Sequence, residues 1–146
     1  MSQEIYRAKR TRTLEVICDN AAQPTFNFKS DSVLQDAAMI TAIEAYTADD
    51  LSYSPEGKDM QPTNIFKMSS LVIAMKNGNE QQIEKLPLPA LNPTLNGNRL
   101  FLCTLKGINL TSCYIKVAKS NQATAGAVWV FTFHYLTKAD IQKQHA

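Results

Sequence analysis

Glycine is scarce, with 5 among 146 residues, and a backbone cradle for phosphate is the first thing that scarcity excludes. No Walker loop, G-x-G-x-x-G or H-E-x-x-H occurs, so nucleotide-cradling and zinc-protease chemistry have no residues at the spacings they need. Histidine is equally thin. His134 lies inside a strand-like run, His145 stands beside the last residue, and neither has a nucleophile elbow near it. Cysteine stops at three, Cys18, Cys103 and Cys113, without a C-x-x-C or a metal spacing, and an odd count argues against a disulfide framework. No apolar stretch approaches the ~18 residues of a membrane-spanning helix. The first residues lack the apolar core of a secretory signal, so a chain made and kept in a cytoplasm is expected. No segment recurs at a spacing of about 20–50 residues, which argues against a solenoid or propeller.

Charge is sparse as well, at 19% of residues with a net +2, below the ~25% of an average domain. The main acidic concentration is Asp49-Asp50 with Glu56 and Asp59 nearby. Its order lacks the alternation of an EF-hand loop, so a solvated loop is expected ahead of a cation site. An enzyme is not expected, and neither is a cofactor or a metal. The positive charge is unevenly spread. Arg7, Lys9, Arg10 and Arg12 fall within six residues, and residues 1–12 read as a flexible basic arm. Such an arm contacts nucleic acid by neutralising phosphates and releasing counterions, docks on a neighbouring subunit, or serves as a solubilising tail.

What the chain has in quantity is short β-strand signatures. Leu71-Val72-Ile73-Ala74-Met75 leads into Asn77-Gly78, and Gln82-Ile83-Glu84-Lys85-Leu86 runs back. Asn-Gly between two such runs is the strongest short-range hairpin signal, because the favoured turn needs positive φ at both central residues. Period-2 alternation marks Thr13 to Asp19, with Leu14, Val16 and Cys18 on one side, and Thr25 to Lys29, with Phe26 and Phe28. Leu34 to Tyr46 is readable as helix or strand. A strand from about Met39 is favoured, after a loop or single helical turn that Asp31 or Ser32 would cap. Leu86-Pro87-Leu88-Pro89 reads as an extended edge leaving the sheet, since proline lacks the ladder donor. Leu100 to Leu105 and Thr111 to Lys119 follow. In the last strand Trp129, Phe131, Phe133 and Tyr135 share one face and Val128, Val130, Thr132 and His134 the other, which predicts a central position. Each cysteine alternates with apolar neighbours, as small buried hydrophobes do. Thr137 to Asp140 carries a weak capping box for a short C-terminal helical turn.

Eight such strands predict an all-β fold: a single antiparallel eight-stranded β-sandwich of jelly-roll type, two sheets of four strands. A closed up-and-down barrel is the competitor, but the long Ala48–Thr63 and Pro87–Asn98 connections suit crossovers between sheets better. One domain is expected over residues 13–137, followed by a short tail at 138–146. A chain this size buries roughly 68–70% of its unfolded surface and needs no staples.

The runs ITAIEAYTADDLSYSPEG, SSLVIAMKNGNEQQIEKLPLPALNP and NLTSCYIKVAK resemble the jelly-roll coat proteins of small icosahedral bacteriophages, most closely those of phages infecting Bacteroidetes-type hosts. The resemblance covers about two thirds of the chain. It implies a virion structural protein without enzyme activity that associates with itself and with other capsid proteins, made in the host cytoplasm. Family coat proteins are often double jelly rolls. This chain has the length for one, which favours a minor or vertex-type subunit. Its basic arm, Arg7, Lys9, Arg10 and Arg12, would reach a neighbouring subunit or the packaged nucleic acid. The alternative from another class is a carbohydrate-binding β-sandwich, which calls for a row of exposed aromatics that the sequence does not offer.

Overall fold

In the computed structural model, which describes residues 10–18, 23–47, 71–77, 80–117 and 128–145, hydrophobic alternation is realised as two four-stranded sheets. The elements in chain order are β1 (Arg10–Ile17), β2 (Thr25–Asn27), helix α1 (Ser32–Gln35), β3 (Met39–Thr47), β4 (Leu71–Asn77), β5 (Glu80–Pro87), β6 (Phe101–Lys106), β7 (Tyr114–Val117), β8 (Val128–Leu136) and helix α2 (Lys138–His145). Short 3₁₀ turns at Leu88–Leu91, Thr94–Asn96 and Leu110–Ser112 link them.

The first sheet has the order β1-β8-β3-β6 and the second β2-β7-β4-β5, with every pairing antiparallel. Each strand of the first half of the chain pairs with its mirror counterpart in the second half: β1 with β8, β2 with β7, β3 with β6, β4 with β5. Two further pairings, β3 with β8 and β4 with β7, join these couples into sheets. The result is an all-β antiparallel sandwich with four strands to a sheet.

Strand β8 is central, as its two apolar faces require. Trp129, Phe131 and Phe133 are buried in the core. They meet the aromatics of the other sheet's side edge to face: Phe26 lies 5.3 Å from Trp129 and Phe28 5.1 Å from Phe131, centroid to centroid. Such T-shaped pairs let the positive ring edge meet the negative face and add about 0.5–1.5 kcal/mol beyond area burial. Ile43 and Ala45 of β3, Leu71, Ile73 and Met75 of β4, and Ile115 of β7 complete the interior. Ile40 and Ile43, three apart, both reach that interior because the β3–β8 register shifts between Ile40 and Ala42. A bulge is the device that lets an odd spacing keep one face.

Strand β3 begins at Met39, and the residues before it form α1, whose N-cap is Asp31 with Leu34 N–H donating to its Oδ2 at 3.1 Å. Four boundaries differ from the sequence expectation. Strand β1 starts at Arg10, so residues 10–12 are part of the sandwich and not of an arm. They form rungs with Tyr135, His134 and Phe133, because β8 extends far enough to offer partners and β-branched Thr11 suits a strand. In the β4–β5 hairpin Asn77 pairs with Glu80, so Asn77 is a strand residue where a turn residue was expected, and Gly78 lies outside the described residues. Leu88-Pro89 does not stay extended: Leu88–Leu91 winds into a 3₁₀ turn that buries Leu88 and Leu91, since two leucines three apart gain more from the core than from an edge. Strand β7 starts at Tyr114, because Leu110–Ser112 also forms a 3₁₀ turn and buries Leu110. The expected Ala48–Thr63 loop, including Asp49-Asp50, lies outside the described residues.

Candidate functional site

Of the four cations expected to make external contacts, Arg7 and Lys9 lie outside the described residues. The structure brings the other two together at one end of β1. The parity of that strand puts Arg10 and Arg12 on the same side as Leu14 and Val16, opposite Tyr135 and Phe133 of β8. Each guanidinium meets one carboxylate. Arg12 donates to Asp31 through Nε at 3.1 Å and through its terminal nitrogen at 2.8 Å. Arg10 donates to Asp140 through Nε at 2.7 Å and through its terminal nitrogen at 3.3 Å. This two-pronged geometry is the strong form of the pair.

Both acceptors are buried while both arginines are nearly half exposed, at 46% and 44%. The Arg12 hydrogen bonds hold the Asp31 carboxyl below its ordinary value against the opposing effect of burial, helped by backbone N–H groups at the start of α1. Asp140 is drawn down to about 2, first by Arg10 and then by the backbone N–H of Thr137. The sequence-level capping box is present, with Asp in the usual Glu position. Thr137 N–H donates to Asp140 Oδ2 at 2.9 Å, and Asp140 N–H donates to Thr137 Oγ1 at 3.2 Å. Each aspartate therefore caps a helix and anchors an arginine of β1. The pairs latch α1 and α2 onto the strand that begins the sandwich.

A second polar group lies on the outer face of the first sheet. Tyr46 Oη donates to Glu44 Oε1 at 2.7 Å, and His134 Nε2 lies 2.6 Å from Glu44 Oε2. Thr13 and Thr132 join hydroxyls at 3.0 Å alongside. The carboxylate thus has a partner on each oxygen, an arrangement that braces neighbouring strands. The thiols are elsewhere: Cys18 and Cys113 are fully buried and Cys103 is half-buried on the inner side of β6. The Cys103 thiol is pushed up to about 12 by burial, which removes thiolate character. Among the described residues no three His, Cys, Asp or Glu side chains gather as a metal site, and no helix is long and apolar enough to cross a membrane.

The feature that sequence reasoning passed over is apolar exposure at both edges of the first sheet, where Ile17 of β1 is 49% exposed. Leu102 of β6 is 74% exposed and Leu100 just before it 41%. The signal was in the alternation: Phe101, Cys103 and Leu105 already fill the inner face, so leucines at 100 and 102 had to point outward. Comparison with protein-family models, with curated proteins and with solved structures finds no match to this chain.

Proposed function

We propose that this protein is a self-assembling structural subunit of a bacteriophage particle, a single jelly roll serving as capsid or minor, vertex-type coat protein. The observation that carries the reading is the strand order β1-β8-β3-β6 against β2-β7-β4-β5. A four-strand ribbon paired with its own mirror half would give this order, which supports reading the sandwich as a jelly roll, the double-sheet fold of viral capsid and lectin domains. The coat-protein resemblance of the sequence chooses between those two uses. Lectin-like recognition by a sheet face calls for exposed aromatics in a row. Among the described residues the outer faces offer Tyr46 and Tyr114, which belong to different sheets. The first is hydrogen-bonded to Glu44, and the second lies under Lys76 Nζ at 5.2 Å.

In this reading the subunit associates with copies of itself and with other capsid proteins in the virion, through rings or shells closed by symmetry. Arg10 and Arg12 serve the fold through Asp140 and Asp31, so contact with a neighbour or with packaged nucleic acid falls to Arg7 and Lys9. The test is solution mass by light scattering, at low and high salt, with electron microscopy of the same samples. A defined oligomer, ring or shell is expected. A strict monomer that binds glycans would overturn the proposal in favour of a carbohydrate-binding sandwich.

A further inference from the structure

Two places in the chain put asparagine directly before glycine, Asn77-Gly78 and Asn96-Gly97. That pair is the most reactive setting for attack by a peptide nitrogen on the neighbouring amide, because glycine has no side chain to shield the nucleophile. Asn77 is a strand residue paired with Glu80. Asn96 ends the Thr94–Asn96 turn between β5 and β6, and it is exposed. Gly97 follows at φ 68 and ψ 35, in the left-handed region, and a Cβ there would have no heavy atom within 4 Å. Backbone conformation, not crowding, calls for glycine at this position.

The Asn96 amide is tied down. Its Nδ2 donates to the Pro89 carbonyl at 2.8 Å and to the Asn92 carbonyl at 2.7 Å, which uses both hydrogens of that nitrogen. These acceptors belong to the stretch that anchors the β5–β6 connection on the first sheet. Asn92 is buried, its Nδ2 donates to the Ala45 carbonyl of β3 at 3.0 Å, and its Oδ1 accepts from Leu95 N–H at 3.0 Å. Just ahead of it, Leu88 and Leu91 are sealed in the core. One exposed amide thus holds together the turns that seat two core leucines and a buried asparagine.

We propose that Asn96 is a self-modification site, a succinimide-forming asparagine that the folded loop holds back and whose product unlocks that loop. The Gly97 nitrogen attacks Asn96 Cγ; a new Cγ–N bond forms and the Cγ–Nδ2 bond breaks. The Gly97 proton leaves on Nδ2 as ammonia. Water then opens the five-membered ring at either carbonyl and leaves aspartate or isoaspartate at position 96, with nothing oxidised or reduced. Ring closure swings Cγ over the Gly97 nitrogen and takes Nδ2 off both carbonyls, so the two hydrogen bonds add to the barrier. At the ordinary strength of such bonds, about a factor of five each, the folded loop slows the reaction about tenfold or more. The product cannot resume the old place. A carboxylate has no hydrogen to donate, and its charge would face two carbonyl oxygens. This chemistry goes beyond self-assembly and does not depend on it.

The test ages the full wild-type chain at mildly alkaline pH, folded and in denaturant, and maps the products by peptide mass and isoaspartate detection. Asn77 in the same digest is the reference. In denaturant the two asparagines should convert at similar rates, and in the folded chain Asn96 should convert about tenfold or more slowly than in denaturant. The variant Asn96→Asp makes one product directly. Its amide hydrogen exchange should be faster over residues 88–98 and unchanged in β1 and β8. Equal Asn96 rates in the folded and unfolded chain would overturn the guard. An Asn96 that lags Asn77 in denaturant as well would trace the slowness to local sequence and overturn it too. An Asn96→Asp loop that exchanges as slowly as the wild type would overturn the release.

Discussion

Phe131 illustrates how much of this fold depends on single side chains. It is fully buried between Phe28 and Phe133, and truncation to alanine removes a ring from a site with rigid neighbours on both sheets. Phe-to-Ala changes in such cores cost about 3–5 kcal/mol, against the ~5–15 kcal/mol that separates a typical domain from its unfolded state. Phe131→Ala should therefore shift the denaturation midpoint far down and leave mostly insoluble protein; a soluble variant with the wild-type midpoint would contradict the packing. The thiols make the opposite case. Cys18 and Cys113 are sealed in, and Cys113 Sγ accepts from Lys76 N–H at 3.2 Å. Cys103 keeps its proton up to about pH 12. A thiol reagent at neutral pH should label all three only after denaturant is added, and rapid labelling of Cys103 in native protein would show the β6 packing to be wrong.

At the scale of elements, the arginine–aspartate latches predict how acid acts. A carboxylate whose pKa is lower in the folded chain contributes stability that is complete above its unfolded value and is lost as pH falls through the folded one. Asp31 is lowered and Asp140 lies at about 2, from an ordinary 3.8. The melting temperature should fall between about pH 4 and pH 2 as both latches release. Asp140→Asn should start lower and show a shallower acid limb; an unchanged limb would mean that the α2 latch contributes nothing. These latches also mark what was legible beforehand. The helical turn at α1, its Asp31 cap, strand β3 from Met39 and the Thr137–Asp140 box follow from local hydrogen-bonding chemistry, and the sequence carries them openly. The N-terminal limit of β1 does not, because Arg10 and Arg12 look like arm residues until their partners, 130 and 19 residues away along the chain, are known. Asn92 was legible only as a turn residue. It is in fact buried, its Nδ2 donating to the Ala45 carbonyl at 3.0 Å, two residues past the last β3–β6 pair. No periodicity announces an amide that continues a ladder.

Over the whole molecule, the same pairing limits what the basic residues can do outside it. Duplex DNA binding through four phosphate contacts would give a slope of log K against log salt near −3.6, from about −0.9 per contact. With Arg10 and Arg12 held by carboxylates, two cations remain, and the slope should be no steeper than about −1.8. Fluorescence titrations at several salt concentrations measure it directly. A slope near −3.6 would mean that both latches open on binding, and replacement of Arg7 and Lys9 by glutamine should abolish what binding there is. Among the described residues the outer face of the first sheet is braced by Tyr46, Glu44 and His134, and its large exposed apolar side chains, Ile17, Leu100 and Leu102, lie at its two edges.

The mirror pairing of the strands also imposes an order in time. Strand β8 is the last of the eight to leave the ribosome, yet it lies between β1 and β3 at the centre of the first sheet. A nascent chain that has already delivered β1, β3 and β6 has nowhere to put Val16, Ile43 and Leu105 until Trp129, Phe131 and Phe133 arrive. At about 5–20 residues per second, the β1 segment waits several seconds for its partner, while a sandwich dominated by such distant pairings folds in roughly milliseconds to seconds once complete. Synthesis, not folding, sets the pace, and a chain interrupted before β8 is a pair of unfinished sheets.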